Sequence, residues 1–517
     1  MKNRTHILLI ATLLFGLNSF VQAAEKSPRV EKNLSIFNDV LRQVDMWYVD
    51  TLNYEELTET AIMAMLKQID PYTVYIPARK NDQLKMFTTG KYGGIGALIM
   101  QYDSTQVVVS QPYEGMPAQR NDVRAGDIIL EVDGKKCVGK KTADVSSLLR
   151  GKAGTTVKLK IRREGEEKPI VKEFAREEIK LPTVPHHAML NDSIGYLDYA
   201  EFTEHSSQAF RRALEELCNE QGCKQLIIDL RGNGGGLINE ALTIASYFLP
   251  KGTEVVTTKG KLESSSRRYK TISAPLYPTL PLTILVDDHS ASASEILCGS
   301  LQDLHRATLI GEKTFGKGLV QNIRNVIHGG NLKVTTAKYY LPSGRCIQGI
   351  GVEPDIVVEE DSSKVNITYS LYRQHLFFDY ANRYRRLHDS IPALNTRLDD
   401  KHSGQEFFAL DSLDLVDFEQ FLQEKNFTYE TETSRYFSDL LRFAHQEDLD
   451  SATVANLEQL KDKLTSDYHA ALWKHKDEVL EQLESEIASR YYYQTAPMII
   501  ALRRDPVLLR ALEEIQK

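Results

Sequence analysis

The chain has 517 residues, of which 42% are hydrophobic and 26% charged, and its formal net charge is −8. This ordinary globular composition excludes wholesale disorder and fibrous repeats, and about 150 residues per domain predicts three or four domains. The acidic balance lacks the basic excess with which nucleic-acid-binding proteins displace counterions from phosphates, so no nucleic-acid partner is expected.

Residues 1–23 have the features of an export signal. Lys2 and Arg4 form a positive segment, Ile7 to Leu17 is mostly apolar, and the segment ends in a small-residue cleavage site at Ala23. The apolar run is shorter than the about 20 residues that span a bilayer, and no later segment approaches that length. We therefore expect an exported, periplasmic protein without a stable membrane span, and an uncleaved signal that acts as a membrane anchor is the alternative.

The five cysteines are too few and too scattered for a disulfide scaffold. Only Cys218 and Cys223 are close enough in sequence to pair locally in an oxidising compartment. No CxxC or HExxH motif and no cluster of His, Asp and Glu with ligand spacing is present, so neither a metal nor a cofactor is expected.

The predicted elements change character along the chain. Residues 24–87 carry apolar positions at helical spacing, and residues 88–178 consist of short β-rich runs divided by glycine turns. Residues 179–360 alternate strands and helices, which indicates an α/β core. Residues 361–517 are charged, tyrosine-rich and mainly helical in pattern. The core elements with the clearest pattern are the strands Gln225–Leu230 and Leu282–Val286 and the helices Asn239–Phe248 and Ala293–Leu304.

Serines cluster where the strand Leu282–Val286 leads into the next helix. Ser292 and Glu295 have the spacing of a capping box, which satisfies helix-end amides without any catalysis. A helix N-terminus also presents exposed amides that can stabilise a developing oxyanion. The two interpretations do not exclude each other.

Lys317 lies between two glycines at the start of a predicted strand that carries Gln321. Most lysines are solvated cations, and a lysine becomes a general base only if desolvation lowers its pKa. A Ser–Lys pair is a known variant of the catalytic triad, but spacing alone does not select this pair. The glycine-rich loop at 232–236 lacks the G-x-x-x-x-G-K-[ST] pattern of nucleotide binding, so its amides are expected to face a substrate carbonyl.

Four motifs follow one another in this region. They are Asp229-Leu230-Arg231-x-Asn233-x-Gly235-Gly236, Ser290-Ala291-Ser292-Ala293-Ser294-Glu295-Ile296, Thr314-Phe315-Gly316-Lys317-Gly318-x-Val320-Gln321 and Leu341-Pro342-Ser343-Gly344-Arg345-Cys346-Ile347-Gln348-Gly349-Ile350-Gly351-Val352-x-Pro354-Asp355. Together they resemble the carboxy-terminal processing (tail-specific) serine peptidases. The resemblance extends from about residue 33 to residue 360, and it implies an α/β peptidase core of the ClpP/crotonase-like type.

The resemblance implies a role for each matching residue. Ser292 would be the nucleophile, Lys317 the general base and later the proton donor, and Gln321 the residue that orients Lys317. The amides of Gly236 and Ala293 would form the oxyanion hole. A serine endopeptidase that works through an acyl-enzyme is therefore expected, and a non-peptidase acyl hydrolase with the same pair stays open.

The β-rich module resembles a PDZ domain inserted before the core. Its Gly93-Gly94-Ile95-Gly96 segment matches the loop whose amides capture a peptide carboxylate while the peptide adds as a strand. A plain hairpin turn is the alternative for these glycines. Asn121–Arg124 is more polar than is usual in such domains. The expected partners are protein or peptide substrates bound by their C-terminus, and a catalytically silent PDZ adaptor or scaffold is the alternative function.

The predicted domains are therefore a signal peptide (1–23), a helical N-terminal region (24–87), a PDZ domain (88–178), an α/β peptidase core (179–360) and a helical C-terminal extension (361–517). The extension lies outside the four motifs. It could pack against the core, or it could form a homo-oligomer or bind an adaptor.

Overall fold

The computed structural model describes residues 28–359, 366–398, 407–429, 431–464 and 468–515. The export signal predicted at 1–23 lies outside these residues. The chain forms two compact units, Met1–Pro77 and Ala78–Lys517. Across the described residues, no helix combines the length and the apolar character that a membrane crossing requires.

The first unit contains two helices and a short strand: α1 Pro28–Trp47, α2 Tyr54–Lys67 and β1 Val74–Ile76. Asn53 caps α2 by accepting a hydrogen bond from the Glu56 amide at 3.3 Å. The helical pattern stops before Asp70, whose carboxylate accepts from the amides of Tyr72 and Thr73 at 2.8 and 2.6 Å. The aspartate therefore closes the turn that ends the helical segment.

The second unit begins with a helix and a β-rich module. Its elements are α3 Asn81–Thr89, β2 Lys91–Gly94, β3 Ala97–Gln101, β4 Val107–Pro112, α4 Pro117–Arg120, β5 Ile128–Val132, β6 Lys135–Lys136, α5 Thr142–Leu149, β7 Thr156–Arg162, β8 Ile170–Ala175 and β9 Glu177–Lys180. The main sheet has the order β3-β4-β5-β7-β8, with β6 on β5, and all of its pairs are antiparallel. Along β7, Val157, Leu159 and Ile161 are buried while their neighbours face outward, which is the alternation expected of a sheet with one buried face.

An α/β core follows. Its elements are β10 His187–Met189, β11 Ile194–Asp198, α6 Ser206–Glu215, β12 Gln225–Asp229, α7 Ile238–Phe248, β13 Glu254–Gly260, β14 Arg267–Lys270, β15 Leu282–Val286, α8 Ala293–Asp303, β16 Ala307–Gly311, β17 Leu319–Asn325, β18 Asn331–Tyr340 and β19 Ile356–Val357. One sheet has the order β10-β11-β12-β15-β16-β19 and is parallel except at β10. Strands β14, β13, β18 and β17 pair in that order as antiparallel neighbours.

The C-terminal region is helical. Its elements are α9 Ile367–Arg373, α10 Leu376–Leu387, α11 Ser412–Glu424, α12 Glu432–Gln446, α13 Ser451–Leu464, α14 Tyr468–Lys474, α15 Lys476–Tyr492, α16 Thr495–Leu502 and α17 Pro506–Ile515. These helices have an apolar core of their own, in which Phe377, Phe418 and Leu483 are buried.

The parallel sheet is buried on both faces by different parts of the chain. Leu226 and Ile228 of β12 pack with residues of α6, α7 and α8. Ile227, which points to the opposite face, packs with Val507 and Leu508 of α17. The apolar character of the central strands follows from this double burial, and α17 covers the second face of the sheet.

The same helical region also contacts the β-rich module through polar groups. The Tyr102 hydroxyl donates to the Asp379 carboxylate at 2.7 Å, and the Gln119 amide donates to the Tyr493 hydroxyl at 2.8 Å. The helical region therefore bridges the β-rich module and the core.

Candidate active site

Ser292 immediately precedes α8, at the carboxyl end of the central strand β15. Its φ of 58° and ψ of −109° lie outside the regions that non-glycine residues usually occupy. The carboxylate of Asp287 holds the preceding turn by accepting from the amides of Gly232 at 2.9 Å and Ser290 at 2.8 Å. A strained backbone is thus fixed at the predicted nucleophile, as is common at functional sites.

The three serines of this turn have different environments. Ser290 donates its hydroxyl hydrogen bond to Leu230 O at 2.8 Å, and Ser294 donates to Asn233 O at 2.8 Å. Both are fully buried, whereas Ser292 is half-buried. Ser290 and Ser294 therefore hold the turn against the glycine loop, and Ser292 is the serine that solvent reaches.

A buried carboxylate joins Ser292 to Lys317. Glu295 Oε2 accepts from Ser292 N at 2.8 Å and from Lys317 N at 2.9 Å. The other oxygen, Oε1, accepts from Thr314 Oγ1 at 2.6 Å and from Gly316 N at 2.8 Å. The capping-box spacing predicted the bond to Ser292, but no sequence signal pointed to the bonds with the loop before β17.

Tyr339 makes a second link between the same two residues. Its buried hydroxyl lies 3.1 Å from Ser292 O and also hydrogen-bonds Lys317 O. No sequence signal pointed to Tyr339, because nothing in a strand residue near the end of β18 indicates contact with two distant loops. Two separate side chains thus bring the Ser292 and Lys317 main chains together.

The environment of Lys317 disfavours its charged form. Burial lowers its pKa, and the positive charge of Lys333 lowers it further, while the negative charge of Glu295 opposes both. A lysine in this environment loses its proton at lower pH than a solvated lysine does, which is the property that a general base requires.

Gln321 lies four residues further along, in β17. Its side-chain amide donates to Leu319 O at 3.2 Å and to Thr335 Oγ1 at 3.4 Å. The strand has a bulge between Val320 and Gln321. These bonds hold the Gln321 amide on the β17–β18 hairpin, and its action on Lys317 stays a prediction.

The glycine loop lies against the Ser292 turn. Asn233 joins the two, because its carbonyl accepts from the Ala291 amide at 3.0 Å. A Cβ added at Gly235, where φ is +92°, would lie 2.8 Å from both Ala293 N and Ser292 Cβ. A Cβ added at Gly236, where φ is +146°, would lie 2.3 Å from the Phe202 carbonyl oxygen. Both positions therefore require glycine, and Ala293 is a first-turn helix residue whose amide has no acceptor within the helix.

The predicted peptide-binding segment spans the end of β2 and the connection to β3. Gly93 and Gly94 belong to β2, which pairs with β9, while Ile95 and Gly96 form the connection. Gly96 has a φ of +71°, and an added Cβ would lie 2.4 Å from Met116 Cβ. The following strand, β3, is at the edge of its sheet.

One group of side chains has the composition of a cation site. Ligand atoms of Asp287, Asp288 and His289 lie within 4.8 Å of one another. The Asp287 carboxylate already accepts from Gly232 and Ser290, and the other two residues are exposed. This group is explained by its role in the turn, and we assign no metal to it.

Three parts of the chain match known families. Residues 193–358 match Peptidase family S41, residues 108–163 match the PDZ domain, and residues 367–515 match the family described as probable PDZ-protease, C-terminal helical domain. These matches define the class: a serine-type peptidase with a PDZ domain and a helical C-terminal region.

Curated relatives match about two thirds of this chain. A carboxy-terminal-processing protease of Bartonella bacilliformis is 36% identical over 364 residues, which are 69% of this chain and 83% of that protein. A probable CtpA-like serine protease of Staphylococcus epidermidis is 33% identical over 68% of this chain and 71% of that protein. The solved photosystem II D1 C-terminal processing protease is 30% identical and covers 60% of this chain and 84% of its own, with a TM-score of 0.39. The chain belongs to the carboxy-terminal processing proteases of peptidase family S41.

Proposed function

We propose that this protein is an exported endopeptidase that cleaves with a Ser292–Lys317 dyad and captures substrate C-termini through its PDZ domain. The observation that carries the proposal is the shared carboxylate oxygen of Glu295, which lies 2.8 Å from Ser292 N and 2.9 Å from Lys317 N. It supports the pair because it holds together two residues that the chain separates by a helix and a strand.

In the proposed reaction, Ser292 Oγ attacks the scissile carbonyl carbon and its proton passes to neutral Lys317 Nζ. The carbonyl oxygen becomes an oxyanion, for which the amides of Gly236 and Ala293 are the proposed donors. The C–N bond then breaks as Lys317 gives its proton to the leaving amine. Water attacks the acyl-enzyme, Lys317 accepts the water proton, and the proton returns to Ser292 as the new carboxyl terminus leaves.

Gln321 is proposed to orient the Lys317 ammonium during these proton transfers. Its amide is anchored by Thr335 on the same hairpin, so the side chain has a defined direction.

The α/β core is proposed to be of the ClpP/crotonase-like type. The parallel sheet with helices on one face and α17 on the other is consistent with that assignment.

The PDZ domain is proposed to bind the C-terminal carboxylate of the substrate at Gly93–Gly96. The edge position of β3 supports this role, because an extended peptide can pair with a free strand edge next to the loop. Export to the periplasm rests on the leader at 1–23. We also propose that the surface of the C-terminal helices forms either the contact of a homo-oligomer or the binding site of an adaptor.

The test uses the purified protein, its Ser292→Ala variant and a Ser264→Ala control at an exposed loop position. Each is incubated with an unfolded protein that carries an apolar C-terminus, either free or amidated, and the fragments are identified by mass spectrometry. We expect cleavage by the wild type and the control, none by Ser292→Ala, and slower cleavage of the amidated substrate. Binding of the free C-terminus without cleavage by any variant would favour the silent adaptor.

A further inference from the structure

An ion pair joins the last helix of the chain to the glycine loop. Arg231, at the start of that loop, lies between Asp229 of β12 and Asp505, which immediately precedes α17. Its Nη2 donates to Asp229 Oδ2 at 2.6 Å and also to Asp505 Oδ2. The side chains of Arg231, Asp229 and Asp505 are only 19%, 7% and 11% exposed, so little water is present to replace either carboxylate.

The two carboxylate oxygens of Asp505 have different partners. Oδ1 accepts from Val507 N at 2.9 Å and from Leu508 N at 3.0 Å, which caps the start of α17. Oδ2 accepts from Arg231. Val507 and Leu508 are also the residues through which α17 packs on the parallel sheet. The position of the Asp505 carboxylate is therefore set by α17 and not by the glycine loop.

The guanidinium of Arg231 is coupled to the main chain at the start of the loop. The Asp229 carboxylate that binds the guanidinium also accepts from the Arg231 amide, through Oδ1 at 3.0 Å. The next amide along the chain, that of Gly232, donates to Asp287 at 2.9 Å. A displaced guanidinium would therefore disturb a carboxylate that also holds the backbone. Gly236, whose amide is a proposed oxyanion donor, lies in the same loop.

We propose that Asp505 is a positioning residue for the oxyanion hole, because it fixes the Arg231 guanidinium and thereby the glycine loop. This inference rests on the proposed function, in which the Gly236 amide stabilises the oxyanion. Asp505 itself neither contacts the substrate nor transfers a proton. A misplaced donor weakens binding of the transition state more than binding of the substrate. Loss of the Asp505 carboxylate should therefore lower kcat and leave KM nearly unchanged.

The test compares Asp505→Asn with Asp505→Glu in the full chain, with a peptide substrate. Asparagine still offers an oxygen that caps α17 but has no charge for Arg231, whereas glutamate keeps the charge. Arg231 keeps Asp229 in both variants, so they report on the Asp505 contact alone. Asp505→Asn should lower kcat about tenfold with KM within about twofold of the wild type. Asp505→Glu should keep kcat within about threefold of the wild type.

Asp411→Asn is the matched control, because Asp411 is an exposed aspartate that caps α11 by accepting from Leu413 N at 2.6 Å. It should keep the wild-type kcat. An unchanged kcat in Asp505→Asn, an equal loss in Asp505→Glu or in the control, or a rise in KM alone would overturn the proposal. If Asp505→Asn does not fold, Asp505→Ser takes its place with the same expected results, since serine also caps a helix without a charge.

Hydrogen exchange measured by mass spectrometry gives a second readout at the loop itself. Amides in the segment 230–237 should exchange faster in Asp505→Asn than in the wild type, because the loop opens more often when its restraint is lost. The same segment should be unchanged in Asp411→Asn. Equal exchange of this segment in Asp505→Asn and the wild type would overturn the proposal.

The proposed function and the role of Asp505 fail in different ways. Ser292→Ala that still cleaves the peptide would contradict the dyad, and a Gly235→Ala variant with wild-type kcat would contradict the oxyanion hole. A large loss of kcat in Gly235→Ala together with an unchanged kcat in Asp505→Asn would leave the oxyanion hole standing and remove only the role of Asp505.

Discussion

The space beside Ser292 limits which residues fit in the neighbouring glycine loop. Gly235 has a φ of +92°, and a Cβ there would meet the Ala291 carbonyl oxygen at 2.4 Å. Gly234, one residue earlier, has no heavy atom within 4 Å of an added Cβ and does not have a positive φ. The two neighbouring glycines therefore differ in how strictly the structure requires them.

We expect Gly235→Ala to lower kcat by about a hundredfold or more, because the shifted loop moves the amides proposed to stabilise the oxyanion. Strain and steric overlap should also lower the free energy of unfolding by about 1–3 kcal/mol. Gly234→Ala should retain wild-type activity. Steady-state kinetics and chemical denaturation of both variants check these expectations. Equal losses of kcat and of stability in Gly235→Ala and Gly234→Ala would contradict the requirement for glycine at position 235.

Glu295 combines a structural bond and a charge effect. Its carboxylate raises the pKa of Lys317, in opposition to burial and to Lys333. Glu295→Gln removes the negative charge, so the Lys317 pKa should fall and the acid limb of kcat/KM should move to lower pH.

The same substitution should lower the plateau rate about tenfold or more, because an amide nitrogen replaces an acceptor of main-chain amides. Glu353→Gln is the control, since Glu353 is an exposed carboxylate paired with Lys313. An acid limb that moves upward in Glu295→Gln would contradict this account of the site.

At the scale of secondary-structure elements, the site depends on the contact between the start of α8 and the antiparallel strands β17 and β18. Tyr339 of β18 supplies that contact through its bonds to Ser292 O and Lys317 O. Tyr339→Phe keeps the buried ring and removes only the hydroxyl. We expect a loss of about 1–2 kcal/mol in the free energy of unfolding.

We also expect a lower kcat for Tyr339→Phe with little change in KM, since the two loops lose a shared restraint and the PDZ domain is untouched. Tyr340→Phe, at the neighbouring and less buried position, is the control. A rise in KM alone would show that the hydroxyl acts on substrate binding instead.

Local patterns predicted the elements that carry the site. The strand Leu282–Val286 was predicted with the observed bounds, and the helix predicted over Ala293–Leu304 runs over Ala293–Asp303. The contacts of Glu295 and Tyr339 with the Lys317 loop were not predictable, because they join residues that are distant in the sequence. The prediction that Ser292 and Lys317 form a pair came from the resemblance to a family, because spacing in the sequence could not select this serine and this lysine.

At the scale of the whole molecule, the C-terminal helices have their own apolar core, and α17 joins them to the parallel sheet of the α/β core. Arg231, at the start of the glycine loop, pairs with Asp229 at 2.6 Å and with Asp505, which precedes α17. Asp505 also caps α17 by accepting from Val507 N at 2.9 Å. The sequence predicted helices in this region, but it could not predict which surface they cover. The apolar face of a helix shows that the face is buried and does not identify the residues that bury it.

This arrangement predicts a large stability effect for one leucine and not for the next. Leu508 is fully buried against the parallel sheet, whereas Leu509 is 42% exposed. Leu508→Ala should lower the free energy of unfolding by about 2–5 kcal/mol. Leu509→Ala should change it by about 0.5 kcal/mol or less. Urea denaturation of the two variants makes the comparison, and equal effects would show that α17 does not cover the sheet.

In the proposed reaction, Ser292 forms a covalent acyl-enzyme with neutral Lys317 as its base. The most direct measurement is mass spectrometry of the protein quenched with acid during turnover of a peptide ester, followed by sequencing of the labelled fragment. We predict an acyl group on Ser292 whose rate of formation rises as the pH rises through the lowered pKa of Lys317, and which is absent in Lys317→Ala. An acyl group on another residue, or undiminished labelling in Lys317→Ala, would contradict the account.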